Sequence, residues 1–357
     1  MHELIMESTT KIFKDLCTKE LIDEVEEGKW AGNLWDILVE SGITSIGVPE
    51  SVGGAGGDYI DAFHILRLAG KFAAPIPLAE TLMVNWLLAE QTIAPKEHPV
   101  TFVIDSNNKL EIEKKETAYL VNGRFKNVPW ARHAKEIFVL SSLEGESVIT
   151  LLPLGKANIH PNGNLAGEPI DEVVFEDATV ENVVTYTVEE SELLDKIMNL
   201  GGLAKAVMMA GAMERVLELT IQYTKEREQF GQPLHRLQAI QQHLAVLSGE
   251  IVAVLTSASQ AIEAYNRGNI KDEIGNAKLL ANQATTIVTE LAHQVHGAIG
   301  ATHEHRLHQF TRRLWAWREE FGNESDWAEK LAHQLMNAKE QSLWSVITDN
   351  YEKEVVQ

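Results

Sequence analysis

Arg227-Glu228-Gln229-Phe230-Gly231 holds the residue types best suited to chemistry in this chain. It follows the amphipathic run Met213 to Glu226 and precedes Pro233. A guanidinium offers a planar fork of donors that matches phosphate or pyrophosphate, and the aromatic beside it offers a stacking face. Together they would suit a dinucleotide held without a glycine-rich βαβ loop. The same residues equally suit plain capping of a helix C-terminus, where Arg and Gly are common.

A second segment, Gln294-Val295-His296-Gly297-Ala298-Ile299-Gly300, ends a helical run in small residues that admit a backbone or a flat ligand closely. It too reads otherwise as an ordinary helix end. The chain has 13 histidines, and His303-Glu304-His305 with His308 invite a metal. The spacing is not His-Glu-x-x-His, and His303 and His305 are expected on different faces of a helix. A solvated face is the simpler expectation, and no metal is expected. Gly-x-Ser-x-Gly is absent, so serine hydrolase chemistry has no support.

The elements that must position these residues fall into three parts, residues 1–95, 96–187 and 188–357. Of ten prolines only Pro233 lies beyond Pro169, leaving the last part with the composition of long helices. There Leu200, Leu203, Val207, Ala210, Met213, Leu217 and Ile221 form one stripe at helical spacing. Further helices are predicted over about 234–266, 271–298 and 305–321, with a last one starting near Asp326, packed as a bundle. The first part reads as helical around Leu34–Leu38 and Ala62–Leu68, with a loop at Gly47–Asp58. That loop is no P-loop, since no Gly-Lys-Ser/Thr follows. The middle part holds short β-branched runs at 101–104, 118–121, 136–140, 148–152 and 172–175. Asn107-Asn108, Asn122-Gly123 and Glu144-Gly145 are read as turns between them, giving a small antiparallel sheet or barrel.

Composition bounds the partners. The 357 residues exceed one compact core. A net charge of −21 disfavours nucleic acid and anionic membranes. Cys17 is the only cysteine, so there is no disulfide framework. Met1-His2-Glu3 lacks the start of a signal peptide. No apolar stretch approaches the ~20 residues of a membrane span. A cytoplasmic location without nucleic acid or membrane is the expectation.

In order, these segments resemble the acyl-CoA dehydrogenase family over nearly the whole chain. Leu34-Trp35 through Gly47-Val48-Pro49-Glu50 and Gly53-Gly54 resembles its N-terminal helical domain. Val121-Asn122-Gly123 and Val174-Phe175-Glu176-Asp177 are similar to its β-domain strands. Arg227-x-x-Phe230-Gly231 with Gln238, and Gln294-x-x-Gly297-x-x-Gly300 with Arg312-Arg313, resemble its flavin-contacting segments.

The resemblance implies an α+β fold with an N-terminal helical domain, a middle antiparallel β domain and a C-terminal helical bundle. It also implies FAD, an acyl-CoA oxidised to the 2,3-enoyl-CoA, a homo-oligomer, and an electron-transfer flavoprotein as acceptor. Arg227, Gln229 and Phe230 would contact the FAD of a neighbouring subunit, with Leu237 and Gln238 beside it. Gln294, Val295, Gly297 and Ala298 would hold its adenosine-pyrophosphate end. Asn127, Val128 and Pro129 would lie against the isoalloxazine, although Pro129 replaces the usual hydroxyl residue. The family's Thr-Glu-Pro-Gly-x-Gly-Ser-Asp segment is missing, since Leu88 to Thr101 is too short to hold it. The family's catalytic glutamate falls on Phe321 before Gly322, and its alternative position falls near Gly201. Glu319 and Glu320 stand next to the first position, and Glu320 is the candidate base. A one-residue offset turns a helical side chain by about 100°. A base-lacking subunit of a hetero-oligomer, or a silent binding subunit, is therefore the alternative expectation.

Overall fold

The computed structural model describes residues 2–103, 110–116, 118–143, 146–181, 184–268 and 272–337. Five helices come first: α1 His2–Leu16, α2 Lys19–Glu26, α3 Gly32–Glu40, α4 Tyr59–Phe72 and α5 Leu78–Glu90. Strands β1 Val100–Val103, β2 Leu110–Lys114, β3 Tyr119–Pro129, β4 Glu136–Leu143, β5 Glu146–Pro153, β6 Asn158–His160, β7 Ile170–Val180 and β8 Val184–Thr187 follow. The rest is helical: α6 Glu190–Glu226, α7 Gln238–Asn266, α8 Glu273–His296, α9 Leu307–Glu319 and α10 Glu324–Asn337. Between α6 and α7 lies the two-strand hairpin of β9 Glu228–Gln229 and β10 Gln232–Pro233.

The sheet runs β6-β7-β3-β2-β4-β5-β8. It is antiparallel except where β1 and β2 follow each other along one edge of β4, both parallel to it. Its side chains alternate between two cores, as the period-2 geometry of a strand requires. Ile137 and Val139 of β4 face the sheet's own core with Val121, Phe125 and Phe175. Phe138 and Leu140 face the helices.

Asn122-Gly123 is not a turn. It is an irregularity inside β3, where the register against β7 shifts. The Asn122 side chain donates to Asp177 Oδ1 at 3.2 Å and accepts from the Asp177 amide at 2.7 Å. The strand continues because Phe125 and Val128 still have core to fill. Asn107-Asn108 and Glu144-Gly145 lie outside the described residues.

The centre of the molecule is α6. The stripe expected on it is too narrow: every residue from Leu200 to Met213 is buried. Toward its C-terminal end the buried positions are Val216, Leu219, Thr220 and Thr224, with Leu217 and Ile221 only half-buried. Two glycines let α4 cross it at backbone contact. A Cβ on Gly70 would lie 2.0 Å from Met208 O, and one on Gly211 would lie 1.9 Å from Arg67 O. Beyond the crossing, Glu214 takes Lys71 at 2.6 Å and Arg67 at 3.4 Å.

One described helix, Gln238–Asn266, is long and apolar enough to cross a membrane by length and composition, against the expectation. A third of its most apolar window is buried, in packing against α6 and α8.

The α4–α6 crossing yields a stability prediction. Gly211→Ala should destabilise the chain by about 2 kcal/mol or more, because the added methyl meets main chain that cannot swing aside. Its gain in helix propensity, about 1 kcal/mol, is smaller. A shift of the urea midpoint at unchanged slope would measure it.

Candidate functional site

The Glu320-Phe321-Gly322 turn joins α9 to α10 and lies directly on α6. Glu320 leaves the helix with extended backbone, at φ −79 and ψ 136. Phe321 and Gly322 then take left-handed φ values of 54 and 93. The left-handed region costs a non-glycine residue about 1–2 kcal/mol, so packing must hold Phe321 there. A Cβ on Gly201 would lie 2.2 Å from the Phe321 ring, and one on Gly202 would lie 2.6 Å from the Trp327 indole. Trp327 Nε1 donates to Phe321 O at 2.9 Å and closes the turn. The two positions at which the resemblance implies a base are thus in contact with each other, and neither carries a carboxylate.

Glu320 lies beside them. Its Oε2 is 2.9 Å from Lys205 Nζ, and Lys205 lies 3.2 Å from Glu80 Oε1 on α5. Lys205 and Glu80 are both 6% exposed, whereas Glu320 keeps 31% of its side-chain surface open. Burial raises the proton affinity of Glu320, and Lys205 counteracts it. Burial alone would lower the Lys205 amine, but Glu320 and Glu80 outweigh it and hold the proton firmly. Glu319 is exposed.

Trp317 links this triad to a second one. Lys205 lies 5.8 Å from its ring centroid, and its Nε1 donates to Glu168 Oε2 at 3.0 Å. The buried Arg313 joins Glu168 at 3.4 Å to Glu26 at 3.1 Å. A cleft of about 250 Å³ lies on the other side of Trp327, lined by Asn199, Gly275 and Lys330 among others.

The phosphate-friendly segments form a separate face. Gln229 pairs with Gln232, so Phe230-Gly231 is a two-residue hairpin turn. Both turn residues are left-handed, at φ 55 and 77, as a primed hairpin turn demands. Phe230 is 90% exposed. Arg227, Gln229 and Gln238 are exposed and Leu237 half-buried. Among the described residues Arg227 has no ion-pair partner.

Tyr223, one turn earlier, donates to His296 O at 3.2 Å and stacks on its ring at 4.5 Å. That contact places the hairpin beside the end of α8. There Gln294, Gly297 and Ala298 are exposed, and Gly297 takes φ 64, ψ −148 with open space where a Cβ would stand. Val295 is buried, so only its main chain is open to a ligand.

The third segment is different in kind. Asn127 is exposed at φ 56, Val128 is buried in the sheet's core, and Pro129 has its carbonyl taken by the Thr101 hydroxyl. With no N–H of its own and its oxygen engaged, Pro129 offers no hydrogen bond to a ring lying on it. The residues therefore fit a dinucleotide's phosphates better than its redox ring.

The expected helix face at His303 and His305 is a turn, preceding α9. His305 approaches His296 to 4.7 Å and His303 approaches His308 to 5.2 Å. Among the described residues no group of three ligands could hold a metal.

Sequence reasoning missed Lys205, Glu80, Trp317 and Lys278. The signal was present: Lys205 is the one charge in the apolar run Leu203-Ala204-Lys205-Ala206-Val207, and Glu80 interrupts Leu78-Ala79-Glu80-Thr81-Leu82.

Comparison with known proteins agrees with this architecture. The acyl-CoA dehydrogenase C-terminal domain matches residues 192–325 and the acyl-CoA dehydrogenase N-terminal domain matches residues 1–94. The chain belongs to the acyl-CoA dehydrogenase family, whose members are FAD-dependent flavoproteins. It is 25% identical to acyl-CoA dehydrogenase IpdE2 of Mycobacterium tuberculosis, over 79% of this chain and 80% of that protein. It is 25% identical to the caffeyl-CoA reductase-Etf complex subunit CarC of Acetobacterium woodii, over 85% and 90%. Its fold matches butyryl-CoA dehydrogenase of Megasphaera elsdenii with a TM-score of 0.80 at 21% identity, over 93% and 98%. The ChsE4-ChsE5 complex of M. tuberculosis matches at 0.82 and 19%, over 94% and 97%.

The buried charges set two expectations. Lys205→Met leaves Glu80 and Glu320 without a counter-charge and should cost about 3–5 kcal/mol. Adding Glu80→Gln should recover part of that loss, and a double-mutant cycle in urea would show it. Burial pulls both His296 and His308 down to about 4, below the 6.5 of a free histidine. Between those values the unfolded chain binds more protons, so stability is complete above pH 6.5 and falls as pH drops toward 4. Each ring accounts for roughly 1–3 kcal/mol. His296→Gln should flatten the dependence of the urea midpoint between pH 7 and pH 4.5.

Proposed function

We propose that this chain is a flavin-holding subunit of an acyl-CoA dehydrogenase built from unlike subunits, with the base supplied by the partner. The observation that carries the proposal is the Phe321 ring on Gly201. Both positions for a base are spent on an apolar contact, and the adjacent Glu320 is neutralised by Lys205. Arg227 would bind a flavin phosphate of the neighbouring subunit, with Gln229 and Phe230 against the same cofactor and the Gly297 main chain at its pyrophosphate. FAD supplies the hydride acceptor when bound, and the substrate is an acyl-CoA thioester losing hydrogen at its α and β carbons. A relative named for a complex of two components and another named as part of an Etf complex support unlike subunits and an electron-transfer flavoprotein as acceptor.

A second reading has a specific observation behind it. Glu320 is partly open and its proton affinity is raised by burial, which suits a general base near neutral pH. On that reading the isolated chain oxidises the acyl-CoA itself, as a homo-oligomer.

Anaerobic flavin bleaching by a panel of acyl-CoAs separates the two. The proposal expects no bleaching by the chain alone and rapid bleaching when a related base-bearing subunit is co-purified. Bleaching by the chain alone, lost in Glu320→Gln, would overturn it in favour of the second reading. In either case Arg227→Ala should weaken FAD retention about 10- to 100-fold, the loss of one charge-assisted phosphate contact. Unchanged retention, measured by absorbance after gel filtration, would remove Arg227 from the site.

A further inference from the structure

Lys278 on α8 is fully buried and belongs to no ion pair among the described residues, yet its amine is surrounded by oxygen. It donates to Asn282 Oδ1 at 2.7 Å, Trp317 O at 3.2 Å, Arg318 O at 3.0 Å and Gly322 O at 3.1 Å. Trp317 and Arg318 lie in the last turn of α9, where the helix dipole is negative; Trp317 O also accepts from the Glu320 amide at 3.3 Å. Gly322 lies on the far side of the turn. One amine therefore spans both ends of Glu319-Glu320-Phe321. Asn282, one turn along α8, donates to the same Gly322 carbonyl at 3.3 Å.

We propose that Lys278 is the positioning residue of this turn: its ammonium is the template on which three main-chain carbonyls close, holding Glu320 against Lys205 and Phe321 against Gly201. Four acceptors face three protons, so every N–H of the ammonium has a partner and one is shared. A neutral amine would turn a lone pair on one of the oxygens. A methionine of similar length would leave Arg318 O buried without a donor and leave Trp317 O and Gly322 O with one long bond each, from the Glu320 amide and from Asn282. The charged groups facing the amine are Glu320 and Glu319 at the turn, Glu324 on α10 and Lys205 on α6. Burial, the strongest influence, brings the amine down to about 7, so the template would lose its third donor on the alkaline side of neutrality.

The inference rests on the reading of this turn as the site, but its test needs neither flavin nor substrate. Tryptophan emission reports the turn, because Trp327 is bonded to Phe321 O and Trp317 lies at its start; Trp327→Phe assigns the signal. The wild-type chain should show a one-proton red shift as pH rises from 6 to 9. Lys278→Met should be red-shifted throughout and lack the step. In Lys278→Ala, added propylammonium should restore the wild-type emission, whereas sodium chloride at equal ionic strength should not. A wild-type titration with no step overturns the proposal even where the variants fail to fold. So does a Lys278→Met emission equal to wild type, or propylammonium rescue no better than salt.

Discussion

One helix with no face for water governs this structure. From Leu200 to Met213 every residue of α6 is buried, so the chain must cover that helix on all sides. Helices α4 and α5 from the N-terminal part and α7, α8 and α9 from the C-terminal part are the covers, and one core cluster runs through them and the inner face of the sheet. A single cation, Lys205, sits within that stretch. Burying a charge is tolerable only with partners, so α5 must present Glu80 and the α9–α10 turn must present Glu320 at the same point. The geometry of the site turn is thus partly a consequence of the spine's electrostatics.

The two Phe-Gly dipeptides of the chain show how one local conformation serves opposite ends. Phe230-Gly231 and Phe321-Gly322 both take consecutive left-handed residues. At 230 the turn faces outward and the ring is 90% exposed. The hairpin pairing holds Phe230 in that conformation while its ring stays exposed, and backbone strain of this kind concentrates at functional sites. At 321 the ring is packed on Gly201 and tied by Trp327, so the fold itself repays the strain. One aromatic is presented outward beside Arg227, which has no ion-pair partner among the described residues; the other is packed inward on Gly201.

Much of this was legible in the sequence where periodicity is long. Helices α7 to α10 lie close to their predicted bounds because their apolar repeats persist over several turns and proline is almost absent. The middle strands at Glu136–Leu140 and Val148–Leu152 were equally clear from β-branched content. Short-range signals failed where tertiary packing overrode them. Asn122-Gly123 has the composition of a hairpin turn, but Phe125 and Val128 carry the strand through it. The stripe on α6 was drawn too narrow, because a single face is the usual solution and this helix has none exposed over 14 central positions. The candidate site at Arg227 and Gln294 was proposed from motifs that are local in the sequence. It was not legible at Lys205, Glu80 and Lys278, whose roles arise from contacts 39 to 125 residues away in the chain.

The same distances bear on Glu320. Its chain position differs by one from the expected base, yet position alone does not decide the chemistry. A general base needs a lone pair directed at the substrate and a proton affinity above that of a solvated carboxylate. Burial supplies the second. Lys205 compromises the first by occupying Oε2, and Glu80 cannot release Lys205 without leaving its own charge buried. Withdrawing Glu320 would leave Lys205 with Glu80 as its ion-pair partner and cost the ammonium its 2.9 Å contact. The ion pair with Lys205 favours Glu320 as the anchor of the turn over Glu320 as its reacting group, in line with the proposal that a partner subunit supplies the base.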